Sequence, residues 1–178
     1  LGHSGCVFSP ERDMAVREAL ESSRQNRNNL SFFWDRLPAG EQWRLFEAFA
    51  ARAVYLDIET TGGFQGCDEI TVIGLYDGRE VRTFINGQNL EDFEDAVAEV
   101  ELLVTFNGSG FDLPFLRRWF RHIGLPRSHL DLRFLLRRLG YRGGLKAIEK
   151  QLGLTRGPDI EGLDGFDAVR LWQAYTWG

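Results

Sequence analysis

The chain has 178 residues, of which 43% are hydrophobic and 26% are charged, and its formal net charge at pH 7 is −5. This composition is ordinary for a globular protein, and the length suits one domain with a substantial core. The sequence excludes a membrane-spanning helix, since no apolar run approaches the ~18–20 residues that one needs, and two cysteines are too few for a disulfide framework or a zinc site.

The start of the chain, residues 1–6, has neither the charge nor the apolar core of a signal peptide. It also lacks an initiating Met, so we expect a fragment or a processed chain. Cys6 and Cys67 are isolated from each other, and we interpret both as free thiols in a reducing cytoplasm.

Two helices are predicted before residue 53. Ser9 followed by Pro10 is typical of a helix start, and the polar helix that begins there is expected to reach about Ser23. A polar linker follows at 24–29, and a second helix is predicted over 41–52. Its apolar stripe is interpreted as core packing rather than a base-stacking platform, and consists of Trp43, Phe46, Phe49 and Ala50. We expect residues 1–52 to form an N-terminal helical extension that packs on a core domain, 53–178.

The middle of the chain alternates between strand-like and helix-like patterns. The predicted strands are 53–58, 70–76, 80–85 and 102–106. An Asp77-Gly78 hairpin turn joins the second strand to the third, and a helix over 90–100, capped by Asn89, precedes the fourth. The apolar face of this helix consists of Leu90, Phe93, Val97 and Val100. Three antiparallel strands, a crossover helix and a further strand predict an α/β fold with a mixed sheet flanked by helices.

The remaining elements are a short fifth strand and three helices, predicted at 129–133, 133–139, 144–152 and 166–176. Asp131, at the end of the fifth strand, is expected to cap the next helix, and the alternative is that it assists a nearby site. His122 and His129 are interpreted as structural or surface residues rather than metal ligands.

The first acidic motif, Asp57-Ile58-Glu59-Thr60-Thr61-Gly62, directly follows an apolar run. Because side chains alternate across a strand, Asp57 and Glu59 point to one side while Ile58 points to the other. Two like charges held that close repel, unless a cation lies between them or one of them takes up a proton. Carboxylate oxygens suit hard divalent ions such as magnesium, so the motif indicates a metal site. The alternative is a solvent-facing strand end. Residues 62–66 are interpreted as a flexible loop beside this site.

The second acidic motif, Asn107-Gly108-Ser109-Gly110-Phe111-Asp112-Leu113-Pro114-Phe115-Leu116, also follows an apolar, strand-like run. Asp112 is explained as a helix N-cap, with Pro114 in the first turn, where its missing N–H costs nothing. That role does not exclude a metal, because an N-capping Asp can aim a free oxygen at one. Ligands of open α/β sheets gather at the carboxyl ends of strands, where both motifs are predicted to lie.

Together the two motifs, about fifty residues apart, resemble those of the DEDD superfamily of 3′–5′ exonucleases. The resemblance implies a ribonuclease-H-like fold, and Thr60, Asn107 and Phe111 stand where that family places substrate-contacting residues. Other segments between residues 30 and 178, such as 143–149 and 168–175, are similar to the YprB-type branch of predicted exonucleases.

This resemblance implies hydrolysis of phosphodiester bonds at nucleic-acid 3′ ends with two divalent ions, Mg²⁺ or Mn²⁺, about 3.5–4 Å apart. Asp57 would bridge the ions, Glu59 would bind the one that carries the nucleophilic water, and Asp112 would bind the other. Asn107 and Phe111 would hold the terminal nucleotide of single-stranded DNA or RNA, and Phe111 would stack on or wedge beside a base.

One part of the family pattern is missing. The family carries a fourth carboxylate on a late helix, in a Tyr-x-x-x-Asp or His-x-x-x-Asp arrangement, and this sequence ends before such a motif. Asp159, Asp164 and Asp167 have no Tyr or His four residues ahead of them. We therefore expect this chain to be weak or inactive alone. The alternative function is a non-catalytic nucleic-acid-binding module with the same fold.

Residues 113–156 carry eleven basic and two acidic side chains, which gives this stretch a net charge of +9 within an acidic protein. A local basic surface can bind phosphates even when the whole protein is acidic. Arg outnumbers Lys here, and a guanidinium forks onto phosphate oxygens, so Arg117 and Arg118 are candidate substrate-binding residues. The alternative is a set of solvated helix faces that carry Arg.

Overall fold

The computed structural model describes residues 9–62, 68–157 and 165–177. Most of the loop predicted at 62–66 lies outside these ranges, as do Cys6, Cys67, Asp159 and Asp164. The chain divides into two compact units between Leu45 and Phe46. None of the described helices is both long and apolar enough to cross a membrane.

The unit before residue 46 is helical. Helix α1, Pro10–Gln25, begins as predicted, with the Ser9 hydroxyl as its cap. Helix α2, Leu30–Trp34, is not predicted by the sequence pattern; its cap is Asn29, whose side chain accepts a hydrogen bond from the Phe32 N–H at 3.0 Å. The predicted linker is therefore too long at both ends, because α1 continues to residue 25 and Asn29 starts a new helix.

The single helix predicted over 41–52 is wrong. That segment forms a 3₁₀ turn at Gln42–Leu45, helix α3 at Phe46–Phe49 and a second 3₁₀ turn at Ala50–Arg52. The Arg44 N–H donates to the Glu41 carbonyl, three residues back, at 3.0 Å, which winds the chain more tightly than an α-helix does. A stripe of apolar residues does not distinguish such turns from a continuous helix.

The second unit is built on one five-stranded mixed sheet, as the sequence predicts. Its strands are β1 (Ala53–Thr60), β2 (Ile70–Tyr76), β3 (Val81–Ile85), β4 (Leu102–Thr105) and β5 (His129–Asp131). They lie in the order β3-β2-β1-β4-β5, with antiparallel pairing from β1 to β3 and parallel pairing of β1 with β4 and of β4 with β5. The carboxyl ends of β1, β4 and β5 therefore meet at one edge of the sheet.

The turn between β2 and β3 is the predicted Asp-Gly hairpin. One carboxyl oxygen of Asp77, Oδ1, accepts hydrogen bonds from the backbone N–H groups of Arg79 and Glu80, both at 2.9 Å. Gly78 takes a φ of 91°, a conformation that glycine adopts without steric cost. The prediction is confirmed.

The connection from β3 to β4 covers one face of the sheet. It contains a 3₁₀ turn, Leu90–Asp92, and helix α4, Phe93–Ala98. All four residues of the predicted apolar face are buried: Leu90, Phe93, Val97 and Val100. Asn89 occupies the N-cap position as predicted, but its side chain makes no capping hydrogen bond, because it accepts from the Ile85 N–H at 2.8 Å and donates to the Thr83 carbonyl at 3.1 Å. The backbone at the end of β3 therefore occupies the Asn89 side-chain groups that would otherwise cap the helix.

The later helices frame the carboxyl edge of the sheet. They are α5 (Asp112–Trp119), α6 (Leu132–Arg138), α7 (Leu145–Gln151) and α8 (Gly165–Trp177). The last three lie within a residue of their predicted ranges. Helix α5 packs into the core through Leu113, Phe115 and Leu116, so its first residue is held against the sheet.

Candidate active site

Asp57 and Glu59 lie inside β1 rather than behind it, because the strand continues to Thr60. Ile58, between them, is 5% exposed and belongs to the core, whereas Asp57 on the opposite face is exposed and Glu59 is half-buried. The residue of β2 opposite Asp57 is Gly74, so β2 places no side chain beside that carboxyl group. The two acids therefore share the face of β1 that points away from the core.

Asp112 is buried at the start of α5, with 3% of its surface exposed. It is the first helical residue, and the position that precedes it, Phe111, has no side-chain cap hydrogen bond. The Asp112 carboxyl group instead accepts a hydrogen bond from the Ile58 N–H at 3.2 Å. The N-cap interpretation of Asp112 is therefore wrong, because β1 takes the oxygen that a cap would have used.

The point where β4 stops pairing with β1 explains why the Ile58 N–H can bond to a side chain. The parallel pairing of β1 with β4 extends to Tyr55 and Val104. Past that pair, the Ile58 N–H needs an acceptor that β4 does not supply, and a buried N–H without one is costly. The Oδ1 of Asp112 fills that position, so a side chain continues the hydrogen bonding of the sheet.

Asp57 interacts electrostatically with each of the other two carboxyl groups, Glu59 and Asp112. Burial raises the pKa of Asp112 to about 6, and the charges of Asp57 and Asp131 add to the shift. Burial also raises the pKa of Glu59, with a further contribution from Asp57. Water reaches Asp57, yet the surrounding protein desolvates it enough to raise its pKa, against a hydrogen bond from the Ile58 N–H that lowers it. Each group thus favours a proton or a nearby cation.

An apolar groove of about 310 Å³ lies beside Glu59, between the sheet and α8. Its lining includes Val72, Ile85, Leu171, Trp172 and Tyr175. The rings of Trp172 and Tyr175 are 5.6 Å apart, and the Gln88 side-chain amide donates to the Tyr175 hydroxyl at 2.5 Å. Helix α8 thereby covers part of the surface around Glu59, which is consistent with the burial that raises the pKa of its carboxyl group.

The donor chemistry of the site suits a hard divalent cation, since all three groups are carboxylates with raised pKa values. The positions of these three groups fit a metal site less well than their chemistry does. In the part of the chain that the structure describes, no three His, Cys, Asp or Glu side chains are grouped so that they could hold a metal ion. The charge of Asp57 acts on Asp112 and, separately, on Glu59.

The loop that precedes Asp112 is anchored by Asp131, which is 7% exposed. One Asp131 oxygen accepts from the Asn107 N–H at 2.8 Å, and the other accepts from the Ser109 N–H at 3.0 Å. Asp131 also caps α6, as predicted, by accepting from the Arg133 N–H at 3.1 Å. Asn107 has a φ of 68°, in the left-handed region that Asn tolerates better than most residues. Asp131 therefore holds the loop in an unusual shape.

Gly108 is the point of closest approach in this loop. A Cβ atom there would lie 2.2 Å from the Thr105 hydroxyl oxygen, which accepts from the Gly108 N–H at 3.0 Å. The same hydroxyl lies 2.9 Å from Nε2 of His129. Burial lowers the pKa of His129, as expected for a histidine with a structural role.

The predicted substrate-binding residues Phe111, Thr60 and Asn107 lie within the two acidic motifs, at different positions relative to the three acids. Phe111 precedes Asp112 directly and is 43% exposed, with its ring 5.8 Å from that of Phe115. Thr60 ends β1, and its hydroxyl accepts from the Gly62 N–H at 3.4 Å. Asn107 begins the anchored loop.

Arg117 and Arg118 lie in the last turn of α5, whereas Asp112 is the first residue of that helix. Both are exposed, and the Arg118 guanidinium lies over the ring of Phe115, 4.2 Å from its centre. The role of these two arginines in substrate binding therefore stays a prediction.

A fourth carboxylate is not evident among the described residues. Asp167, at the start of α8, forms an ion pair with Arg170 at 4.0 Å. Asp131 adds its charge to the surroundings of Asp112, but backbone N–H groups hold both of its oxygens.

Two features of this site were missed by sequence reasoning: the hydrogen bond from Ile58 to Asp112, and the anchoring of the loop by Asp131. The second left a signal in the sequence. Asn107 and Asp131 both follow predicted strands, and the carboxyl ends of adjacent parallel strands meet at one edge of a sheet. Asp131 could therefore have been placed beside Asn107 from the sequence.

A family model of the RNase_H superfamily matches residues 54–177, a range that includes the sheet and helices α4 to α8. Among solved structures, the chain is similar to the family B DNA polymerase from the hyperthermophilic archaeon Pyrobaculum calidifontis, with a TM-score of 0.54, 18% identity, and coverage of 68% of this chain and 21% of the polymerase. It is also similar to the Aedes aegypti Nibbler EXO domain, with a TM-score of 0.50, 14% identity and coverage of 69% of each chain.

A third similar structure is Escherichia coli RNase D, an exoribonuclease involved in structured RNA processing, with a TM-score of 0.49, 21% identity, and coverage of 68% of this chain and 34% of RNase D. The chain thus spans about a fifth of the polymerase and about a third of RNase D. No curated protein matches the chain in sequence. The family match and the observed sheet confirm the predicted ribonuclease-H-like fold.

Proposed function

The chain belongs to the RNase_H superfamily, and on that premise we propose that it is a metal-dependent 3′–5′ exonuclease of the DEDD type, in the YprB-like branch. The observation that carries this proposal is the hydrogen bond of 3.2 Å from the Ile58 N–H to Asp112. It joins the second acidic motif to the first, between Asp57 and Glu59, although the two motifs are far apart in sequence.

Asp57, Glu59 and Asp112 are the residues that would hold two divalent ions, Mg²⁺ or Mn²⁺. Their raised pKa values support this role, because a bound cation would offset the burial, and for Glu59 and Asp112 also the charge of Asp57, that now favours protonation. The chemistry that such ions supply is the activation of a water molecule and the stabilisation of the leaving 3′ oxygen.

Thr60, Asn107 and Phe111 would bind the terminal nucleotide of a single strand of DNA or RNA. The exposed ring of Phe111 offers a surface on which a base can stack, and its contact with Phe115 limits its movement. Thr60 would contact the terminal sugar or phosphate. Arg117 and Arg118 would bind phosphates farther along the strand, because they lie at the other end of α5.

A non-catalytic nucleic-acid-binding module is the second candidate function. It is favoured by one observation, the lack of a group of three ligating side chains among the described residues. Such a module would keep the fold and the basic stretch 113–156 but would not hydrolyse its ligand.

The test uses one oligonucleotide labelled at its 3′ end and a second labelled at its 5′ end, each with MgCl₂ or MnCl₂ and with the protein in excess over the strand, so that weak activity is detected. A 3′–5′ exonuclease releases the 3′ label first as a mononucleotide and shortens the 5′-labelled strand step by step. Asp57→Asn should abolish both signals. Asp77→Asn, in the β2–β3 turn, is the control and should leave both unchanged. Binding of both strands without loss of either label would favour the non-catalytic module.

A further inference from the structure

A small basic pocket lies beside the loop that begins at Asn107 and is anchored by Asp131. It has a volume of about 170 Å³ and is lined by Arg133, Arg137, Tyr141, Arg142, Gly143 and Ile148. Arg133 and Arg137 are one turn apart on α6, so their side chains lie on the same face of that helix. Arg142 comes from the segment between α6 and α7. Three arginine residues therefore line one small volume.

The backbone around this pocket is held by hydrogen bonds. The Tyr141 N–H donates to the Leu136 carbonyl at 3.0 Å, which turns the chain back at the end of α6. The Gln151 side-chain amide donates to the Arg142 carbonyl at 2.9 Å and ties the segment to α7. Gly143 has a φ of 113°, which side-chain-bearing residues rarely adopt. The shape of the pocket is thus set by the fold rather than by mobile side chains alone.

The charge of the pocket is not balanced within the described part of the chain. No carboxylate there forms an ion pair with Arg137 or Arg142. Glu149, on the neighbouring helix α7, pairs instead with Arg156 at 2.8 Å. Like charges around a small volume repel one another, and an anion between them removes that repulsion. Guanidinium groups are also the side chains that best match the oxygens of a phosphate.

The size of the pocket favours one phosphate group over a larger ligand. Pockets for whole small molecules have roughly 300–1,000 Å³, well above the volume found here. A position next to the candidate site favours a phosphate that belongs to a nucleic-acid strand. Arg133 provides the link, because its guanidinium donates to the side-chain oxygen of Asn107 at 2.5 Å.

We propose that this pocket binds a backbone phosphate of the single strand whose 3′ end lies at Asp57 and Asp112. The inference rests on the proposed function, since it is that function which brings a strand to Asn107. It assigns the phosphate to Arg137 and Arg142, with Arg133 shared between the pocket and the loop. The basic residues of α5 are not needed for this contact.

The first test measures binding of a fluorescent single strand with non-hydrolysable phosphorothioate linkages, in MgCl₂ and over a range of NaCl concentrations. The double variant Arg137→Ala, Arg142→Ala should bind about tenfold more weakly, and the slope of log affinity against log salt should fall by about 0.7, the value for one lost phosphate contact on a single strand. The control is Arg79→Ala, Arg82→Ala, which removes the same charge from exposed positions around β3. An equal slope for both variants would overturn the proposal.

The second test does not depend on nuclease activity. Inorganic phosphate is titrated into the protein while the Nε–Hε signals of arginine are followed by NMR. The signals of Arg137 and Arg142 should shift in a saturable way, and Arg79 should not. If no shift occurs, the pocket is not an anion site, whether or not the protein degrades nucleic acid. If phosphate binds but the salt slope of the pocket variant equals that of wild type, the assignment to a backbone phosphate is wrong. Failure of the labelled-strand assay together with a positive result here would instead count against the exonuclease alone.

Discussion

The Ile58 N–H donates a hydrogen bond of 3.2 Å to Oδ1 of Asp112, so a side chain of α5 takes a position in the hydrogen bonding of β1. This contact fixes the start of the helix against the strand that carries the other two acids. It also buries the Asp112 carboxyl group close to Asp57, which opposes ionisation of Asp112. The same geometry that assembles the candidate site therefore destabilises the folded protein at neutral pH when no cation is bound.

Replacing Asp112 with Asn should stabilise the metal-free protein at neutral pH. The folded-state pKa of about 6 lies above the ordinary aspartate value of 3.8, so the protonated carboxyl group favours the folded state. Its contribution to stability is fully present below about pH 4 and is lost as the pH rises through 6, a difference of up to about 3 kcal/mol. Asn keeps an acceptor for the Ile58 N–H but has no charge. Urea unfolding in EDTA should therefore show a smaller decline in stability between pH 4 and pH 7 for this variant, and identical pH profiles would refute the prediction.

A divalent cation should reverse the effect of the acids on stability. Addition of MnCl₂ at neutral pH should raise the melting temperature of the wild-type protein, since a ligand that binds only the folded state stabilises it. Asp57→Ala should melt at a higher temperature in EDTA, because the repulsion is relieved, and should lose most of the response to manganese. Differential scanning fluorimetry measures both. Asp77→Ala is the control: it should lower the melting temperature but respond to manganese as the wild type does. An equal response in Asp57→Ala would place the cation elsewhere.

The parts of the site that follow from the alternation of side chains along a strand were predictable from the sequence. Strand alternation places Asp57 and Glu59 on one face, and the burial of Ile58 on the other agrees with it. The contact of Asp112 with β1 was not predictable, because it depends on where the pairing of β1 with β4 ends. That end is a property of the whole sheet, and no residue near Asp112 encodes it.

Caps were the least predictable local feature, because several backbone groups compete for one polar side chain. Asn89 precedes a helical segment, yet it bonds to the end of β3 instead. Asp131 does cap α6, and its remaining capacity holds a loop from the neighbouring strand. In both residues the sequence identifies a side chain that bonds to backbone, and the tertiary fold decides which backbone groups it meets.

Gly108→Ala should destabilise the protein far more than an ordinary glycine substitution. The new Cβ would lie 2.2 Å from the Thr105 hydroxyl oxygen and 2.6 Å from the Thr105 Cβ, so that β4 or the loop must move. Overpacking of this kind costs about 1–3 kcal/mol, or more when the backbone must shift. Gly124→Ala is the matched control, because nothing lies within 4 Å of its added Cβ. Urea unfolding compares the two, and similar losses of stability would show that the loop has room to adjust.

Asp131→Asn should slow hydrolysis while leaving the protein folded, if Asp131 positions the loop. Its two oxygens accept from Asn107 and Ser109, and an Asn side chain has only one acceptor oxygen, so one of these N–H groups would lose its partner. An unsatisfied buried donor costs about 1–3 kcal/mol, which a stable domain can tolerate. Hydrogen exchange at the Ser109 amide should become faster, and the single-turnover rate on a 3′-labelled strand should fall. Asp77→Asn removes the same charge in the β2–β3 turn, where one oxygen accepts both N–H groups so that Asn can keep them, and it should not change that rate. If both variants turn over at the wild-type rate while the Ser109 amide exchanges faster in Asp131→Asn, the loop does not need its anchor, and Asp131 serves only to cap α6.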